Sequence, residues 1–305
     1  MKKKIISTLT ICAFVFSAFN MNVQAQNKER VTFGIDLTDS QEKEMLKEFG
    51  VSADKVSIDR ITNDDIIKQL GLDPNDQSNY SGGCYSSSYV KLTNSNGILV
   101  EANNLTEVTG LMLSNALLTS GVTNAEVKAS SPFPVTGTSA LSGILKGFEA
   151  IQGEELSLKN KKVAQKEIET TASLGDEIGV DEAATVINDV KTAVIKEAPK
   201  TEAEVSSIVK DVTKDYKIEL SDAQKESITN LMLDVKDLDI DYSKVKDTLN
   251  NLKDQLSTAL DNAGSKLSDS GFFEKLFNGI GDFFNSFVDW FSSVISRDSS
   301  SDPQM

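Results

Sequence analysis

The pattern of this chain changes near residue 153, and that change sets what each half can fold into. Before it, short stretches in which apolar and polar residues alternate, the period of half-buried strands, are interleaved with helical stretches. After it, the recurring pattern is apolar residues every three or four positions, the period of helices. Val31, Phe33, Ile35 and Leu37 alternate with Thr32, Gly34 and Asp36 to give a first strand. Thr38 and Gln41 then form a capping box for a helix with Met45, Leu46 and Phe49 as its stripe, stopped by Gly50. Val56 and Ile58 suggest a second strand, and Thr62 to Leu70 a second helix ending at Gly71. Turn chemistry fills Asp73 to Gly83. Cys84 to Thr93 and Ile98 to Ala102 read as a hairpin around Asn96-Gly97, a strong type I′ signal. A helix over Thr106 to Thr119 and a strand with Ala125, Val127 and Ala129 follow. SPFPVTGTSALSG then reads as a proline-braced loop entering a helix.

From Glu154 onward Glu, Lys, Ala, Val and Leu dominate. Thr201 and Glu204 cap a helix striped by Val205, Ile208, Val209 and Val212. Ser221 and Gln224 cap the next, with Ile228, Leu231, Met232 and Val235. A third carries Val245, Leu249, Leu252, Leu256, Leu260 and Ala263. The fold class expected is α+β. A mixed α/β domain over residues 27–152 precedes a helical domain over 153–263, a linker at 264–270 and an amphipathic helical tail at 271–297. Residues 298–305 read as a disordered end.

Compartment and charge follow from the first 25 residues. Lys2, Lys3 and Lys4, an apolar run from Ile5 to Phe19, and Val23-Gln24-Ala25 make a secretory signal peptide over residues 1–25. Export is therefore expected, to the extracellular space or the cell envelope. That segment holds three of the 31 basic residues and none of the 46 acids, so the remainder carries 28 against 46, or −18. Such a surface repels phosphate backbones, which argues against nucleic acid as a partner. After cleavage Cys84 is the one cysteine, so packing rather than a disulfide must hold the fold. The chain has no histidine, which removes the usual metal ligand and general base. No cofactor and no metal are expected.

The run YVKLTNSNGILVEANNLTEVTGLMLSNALLTSGVTNAEVKASSPFPVTGTSALSGILKGFEA, most of all its part from Gly121 to Ala150, resembles the YpuA-like family of exported bacterial proteins. IELSDAQKESITNLMLDVKDLDIDYSKVKDTL is similar to the C-terminal half of that family, which is a domain of unknown function numbered 1002. The resemblance implies export and a two-part architecture. It carries no activity and no catalytic residues.

Candidate sites are few. Thr136, Gly137, Thr138 and Ser139 stand where a strand meets a helix, a place where hydroxyls, free backbone N–H groups and the helix dipole can hold an anion. The plainer account of the same residues is helix capping. The segment is no P-loop, lacking the Lys-Ser/Thr pair, and no nucleophile elbow, because Leu141 occupies the second glycine position around Ser139. Cys84 lies on one face with Val90 and Leu92, which argues for burial over reactivity. DLDIDYS has the alternating carboxylates of a calcium loop, but Tyr242 and Thr248 stand where such a loop needs Gly and Glu.

The remaining signal is aromatic. Seven of the fourteen phenylalanines and the single tryptophan lie between Phe272 and Phe291. Phe272, Phe273, Phe277, Phe283, Phe284, Phe287, Trp290 and Phe291 advance by helical steps with Leu276, Ile280, Val288, Val294 and Ile295. They give one wide apolar face about 40 Å long if helical throughout. Burying thirteen such side chains is worth roughly 10 kcal/mol or more even after discounting. Such a face must therefore cover something. Lys275 and Arg297 are outnumbered by Glu274, Asp282 and Asp289, so attraction to anionic lipid would be weak. The surfaces open to it are a membrane interface, a protein partner, another copy, or the chain's own body. The expectation is thus an exported protein without catalytic activity, binding or scaffolding through this tail. A cell-wall hydrolase using hydroxyls and carboxylates near Thr136 to Ser139 is the alternative.

Overall fold

Threonine caps and left-handed glycines fix the first helices where the sequence places them. In the computed structural model, which describes residues 28–76, 82–137, 139–215 and 220–266, β1 (Glu29–Gly34) leads into α1 (Asp39–Phe49). Thr38 and Gln41 complete a reciprocal capping box, and Gly50 closes the helix. β2 (Ser57–Ile61) and α2 (Asn63–Leu70) follow, α2 being capped by Thr62 and Asp65. β3 (Ser87–Leu92), β4 (Ile98–Leu105), α3 (Gly110–Ser120), β5 (Ala125–Val135) and α4 (Ala140–Gln152) complete the strand-containing half. After Gly153 the described elements are helices: α5 (Leu158–Ile178), α6 (Val180–Glu197), α7 (Glu202–Asp215), α8 (Asp222–Lys236) and α9 (Tyr242–Lys266). The fold class is α+β, as expected. The capping boxes at Thr201/Glu204 and Ser221/Gln224 form as the sequence predicts.

The expected hairpin does not form. The sheet order is β2-β1-β3-β5-β4, so β5 lies between the two strands that Asn96-Gly97 was to join. The turn itself is real: Asn96 and Gly97 both take positive φ, 78° and 71°. It is anchored to β5 instead of closing β3 on β4. Asn124 Oδ1 accepts from Gly97 N at 3.0 Å, and Ala125 N donates to Gly97 O at 3.0 Å. β4 then runs parallel to β5, with α3 as the crossover helix. β1-α1-β2 is the second parallel unit, and β3 runs antiparallel to both β1 and β5.

Two further boundaries shift. α3 starts at Gly110, not Thr106, because Thr106 N still donates to Val135 O at 2.8 Å. The proline-braced loop is strand as far as Val135. Pro132 and Pro134 fit there because β3 pairs with β5 only as far as Ser130. Beyond that residue no β3 ladder bond needs their missing N–H.

β1 is buried on both faces, with Val31, Thr32, Phe33 and Gly34 all inaccessible, rather than half-buried. Val31, Phe33 and Tyr89 pack with Met45 and Phe49 of α1. On the opposite face α4 packs against β1 and β3. A glycine pair on α4 permits this approach: a Cβ on Gly143 would lie 3.6 Å from Ser88 Oγ, and one on Gly147 3.2 Å from Thr32 Oγ1. The main core is continuous across Gly153, running from Val90, Ile98 and Val127 through α3 and α4 to Leu256 of α9. Residues 1–25, read from the sequence as a signal peptide, Thr138, the expected tail at 271–297 and the expected end at 298–305 lie outside the described residues. α9 reaches Lys266, into the stretch read as a linker.

Candidate functional site

Both parallel pairs end at the same edge of the sheet, and the expected loop sits there. Carboxyl ends of parallel strands are where α/β sheets usually place ligands. Leu105 of β4 pairs with Val135 of β5. Beyond them, Thr106 donates to Val135 O through its Oγ1 at 3.1 Å, and Glu107 N donates to Thr136 O at 3.2 Å. Gly137 takes φ 89°, and a Cβ there would meet Leu105 at 3.0 Å, so this turn requires glycine. Ala140 N closes the turn on Gly137 O at 2.9 Å. Thr136, Gly137 and Ser139 are thus gathered within one turn, Gly137 buried and the other two half-buried. Ser139 does not cap α4 with its side chain, whereas Thr38, Thr62 and Thr109 cap α1, α2 and α3.

The structure adds Glu107 to this loop. Burial, then the charge of Asp176 at the end of α5, raises its carboxyl from 4.5 to about 7. Asp176 and Asp181 are also raised, each by burial first and then by its neighbour, Glu177 or Glu182. A carboxyl poised near neutrality can give or take a proton. Nothing in the sequence around Glu107 separates it from the other acids. Among the described residues no group of three or more His, Cys, Asp or Glu is placed to hold a metal ion.

Glu107 also has a thermodynamic signature. Because its folded pKa lies above its unfolded value, its contribution to stability is greatest below about pH 4.5 and falls as pH rises towards 7. Glu107→Gln should remove that fall, raising stability at pH 8 relative to the parent by about 1–2 kcal/mol. At pH 4 it should change little. Urea unfolding at the two pH values measures this directly.

The other sequence candidates resolve into structure. Cys84 is buried, and its thiol donates to Asn63 Oδ1 at 2.9 Å. Burial first, then Asp36 and Asp65, pushes the thiol up to about 11, so it stays protonated. In DLDIDYS, Asp241 Oδ1 accepts from Ser243 N at 2.9 Å and Oγ at 2.7 Å, and Asp237 pairs with Lys236. The segment turns between α8 and α9, with Leu238, Ile240 and Tyr242 against the core.

The most buried charged group among the described residues was not anticipated at all. Lys191 of α6 is fully inaccessible and donates to Glu167 Oε1 of α5 at 2.6 Å, to Asn115 O of α3 at 2.9 Å and to Thr119 Oγ1 at 3.2 Å. Thr119 in turn donates to Glu167 Oε2. A second junction joins the halves near α2, where Glu149 of α4 accepts from Lys161 Nζ, Gln69 Nε2 and Leu156 N, each at 2.8 Å.

A family model described as "Protein of unknown function (DUF1002)" matches residues 33–252. The chain belongs to that family. It is 34% identical over 221 residues to the uncharacterized protein YpuA of Bacillus subtilis (strain 168), covering 72% of this chain and 76% of that protein. No solved structure matches. The matched span contains the Thr136 turn, Glu107 and the Lys191 network, whereas the aromatic segment after Gly271 lies beyond it.

Proposed function

We propose that this family member is an exported, non-catalytic protein of the cell envelope or extracellular space. It binds or scaffolds, and its aromatic C-terminal segment covers a surface outside its own body. The observation that carries this reading is a mismatch of apolar surfaces. Among the described residues only four large apolar side chains are exposed: Ile35, Leu99, Phe133 and Leu158. They sit after β1, on β4, on β5 and at the start of α5, and make no strip to receive thirteen apolar side chains spaced along 27 residues. No helix of the described residues is long and apolar enough to cross a membrane. This supports a membrane interface, a partner protein or a second copy as the surface the segment covers.

A hydrolytic reading has one observation in its favour, a carboxyl near neutrality on Glu107, whose backbone N donates to Thr136 O. Against it, the hydroxyls there have no histidine to activate them.

A version stopped after Lys266 separates these readings. It should lose vesicle co-sedimentation, or elute as a smaller species on gel filtration, while unfolding as cooperatively as the parent. If truncation changes neither vesicle binding nor elution, the tail has no outward role, and Glu107 with Thr136 becomes the site to assay.

A further inference from the structure

Lys191, Glu167 and Asn115 hold a nucleophile, a proton carrier and an amide together in a site closed to bulk solvent. Lys191 is 0 % exposed, Glu167 1 % and Asn115 2 %. Nζ of Lys191 donates hydrogen bonds both to Glu167 Oε1 at 2.6 Å and to the main-chain oxygen of Asn115 at 2.9 Å, which brings the amine to the residue that carries the carboxamide. That carboxamide is weakly held. Its Nδ2 makes one long bond, 3.4 Å to Ala184 O, and its Oδ1 has no partner. The electrophilic group is thus less tightly hydrogen-bonded than the lysine and the carboxylate beside it.

We propose that Lys191 and Asn115 join in an intramolecular amide crosslink, with Glu167 carrying the protons. Burial holds the Lys191 ammonium below the usual lysine range and favours transfer of its proton to the carboxylate. The freed amine lone pair attacks Cγ of Asn115, forming the C–N bond as the carbonyl pair moves to Oδ1. Glu167 gives its proton to Nδ2 and takes one from the attacking nitrogen. The Cγ–Nδ2 bond breaks, the carbonyl reforms, and ammonia leaves. Atoms and charge balance with no oxidant or co-reactant: a buried ammonium and carboxylate become a neutral amide and a neutral carboxylic acid. The product leaves no charge in the interior, which relieves the cost of keeping the pair out of water. The bond would tie α3 to α6, across the seam between the sheet half and the helical half.

Mass spectrometry of the denatured full-length protein tests this without any variant. The expected mass is about 17 Da below that of the sequence, one ammonia, and a tryptic digest should contain a branched peptide joining α3 to α6. Glu167→Gln should restore the uncrosslinked mass. An unchanged parent mass overturns the proposal, whatever the variant does. A loss of about 18 Da, with Lys191 joined to Glu167 and water released, overturns Asn115 as the acceptor.

Discussion

Glu167→Ala is expected to destabilise the folded chain by about 3–5 kcal/mol, the cost of leaving a buried charge without its partner. Lys191 of α6 is 0 % exposed and bonded to groups on α3 and α5, so in this packing its charge does not meet water. Its two other acceptors, Asn115 O and Thr119 Oγ1, are neutral and cannot balance the charge. Thr119 also loses its bond to Glu167. If Glu167 carries protons for a crosslink, the variant forfeits that bond too, in the same direction. Replacing both partners by apolar residues of similar size, Glu167→Leu with Lys191→Met, should cost far less than the single change. Urea midpoints for the three proteins decide it. A single-variant loss under about 1 kcal/mol would mean that the pair is open to solvent.

Gly34→Ala should be comparably severe, about 3 kcal/mol or more. A Cβ at Gly34 would lie 2.0 Å from Cys84 O and 2.9 Å from Tyr85 N. Both obstacles are backbone, so no side chain can swing aside. The contact is also fastened, because Asp36 N donates to Cys84 O at 3.2 Å and Cys84 N donates to Asp36 Oδ2 at 2.7 Å. Relief would require breaking this pair or moving the start of β3. Gly82→Ala is the control, since a Cβ there meets nothing within 4 Å and should change stability by less than about 0.5 kcal/mol. Equal urea midpoints for the two variants would show that the Cys84 segment yields freely.

Local signals in this sequence were legible where a few residues decide the outcome. The caps at Thr38 and Ser221 and the left-handed glycines at 50 and 71 act within one helical turn, and all form as read. Asn96-Gly97 shows where that reasoning stops. Its dihedrals came out as the residue types demand, but the choice of neighbour for β4 was made by Asn124 and the small residues of β5. No short window of sequence contains both. The prolines of SPFPV misled for a related reason, because a proline is harmless wherever the adjoining strand has already ended.

The candidate site was half visible. The turn at Thr136 to Ser139 announced itself by residue-specific detail, whereas Glu107 gains its character only from burial and from Asp176 on a distant helix. Lys191 left a trace that could have been read. With Ala184, Asn188 and Ile195 it continues a helical stripe whose other members are buried, and a lysine on such a stripe needs an acid from another helix. Which of 46 acids would meet it could not be read from spacing.

Trp290, the single tryptophan of the chain, lies towards the end of the aromatic segment, beside Phe291, and reports on it without modification. Its emission and acrylamide quenching should be measured on the dilute monomeric protein, then with phosphatidylcholine vesicles and at rising protein concentration. If the segment covers an outside surface, Trp290 will be accessible in the dilute monomer, then shift to the blue and become protected with lipid or on self-association. Blue-shifted, protected emission in the lipid-free monomer, unchanged by either addition, would mean that the segment packs on its own body.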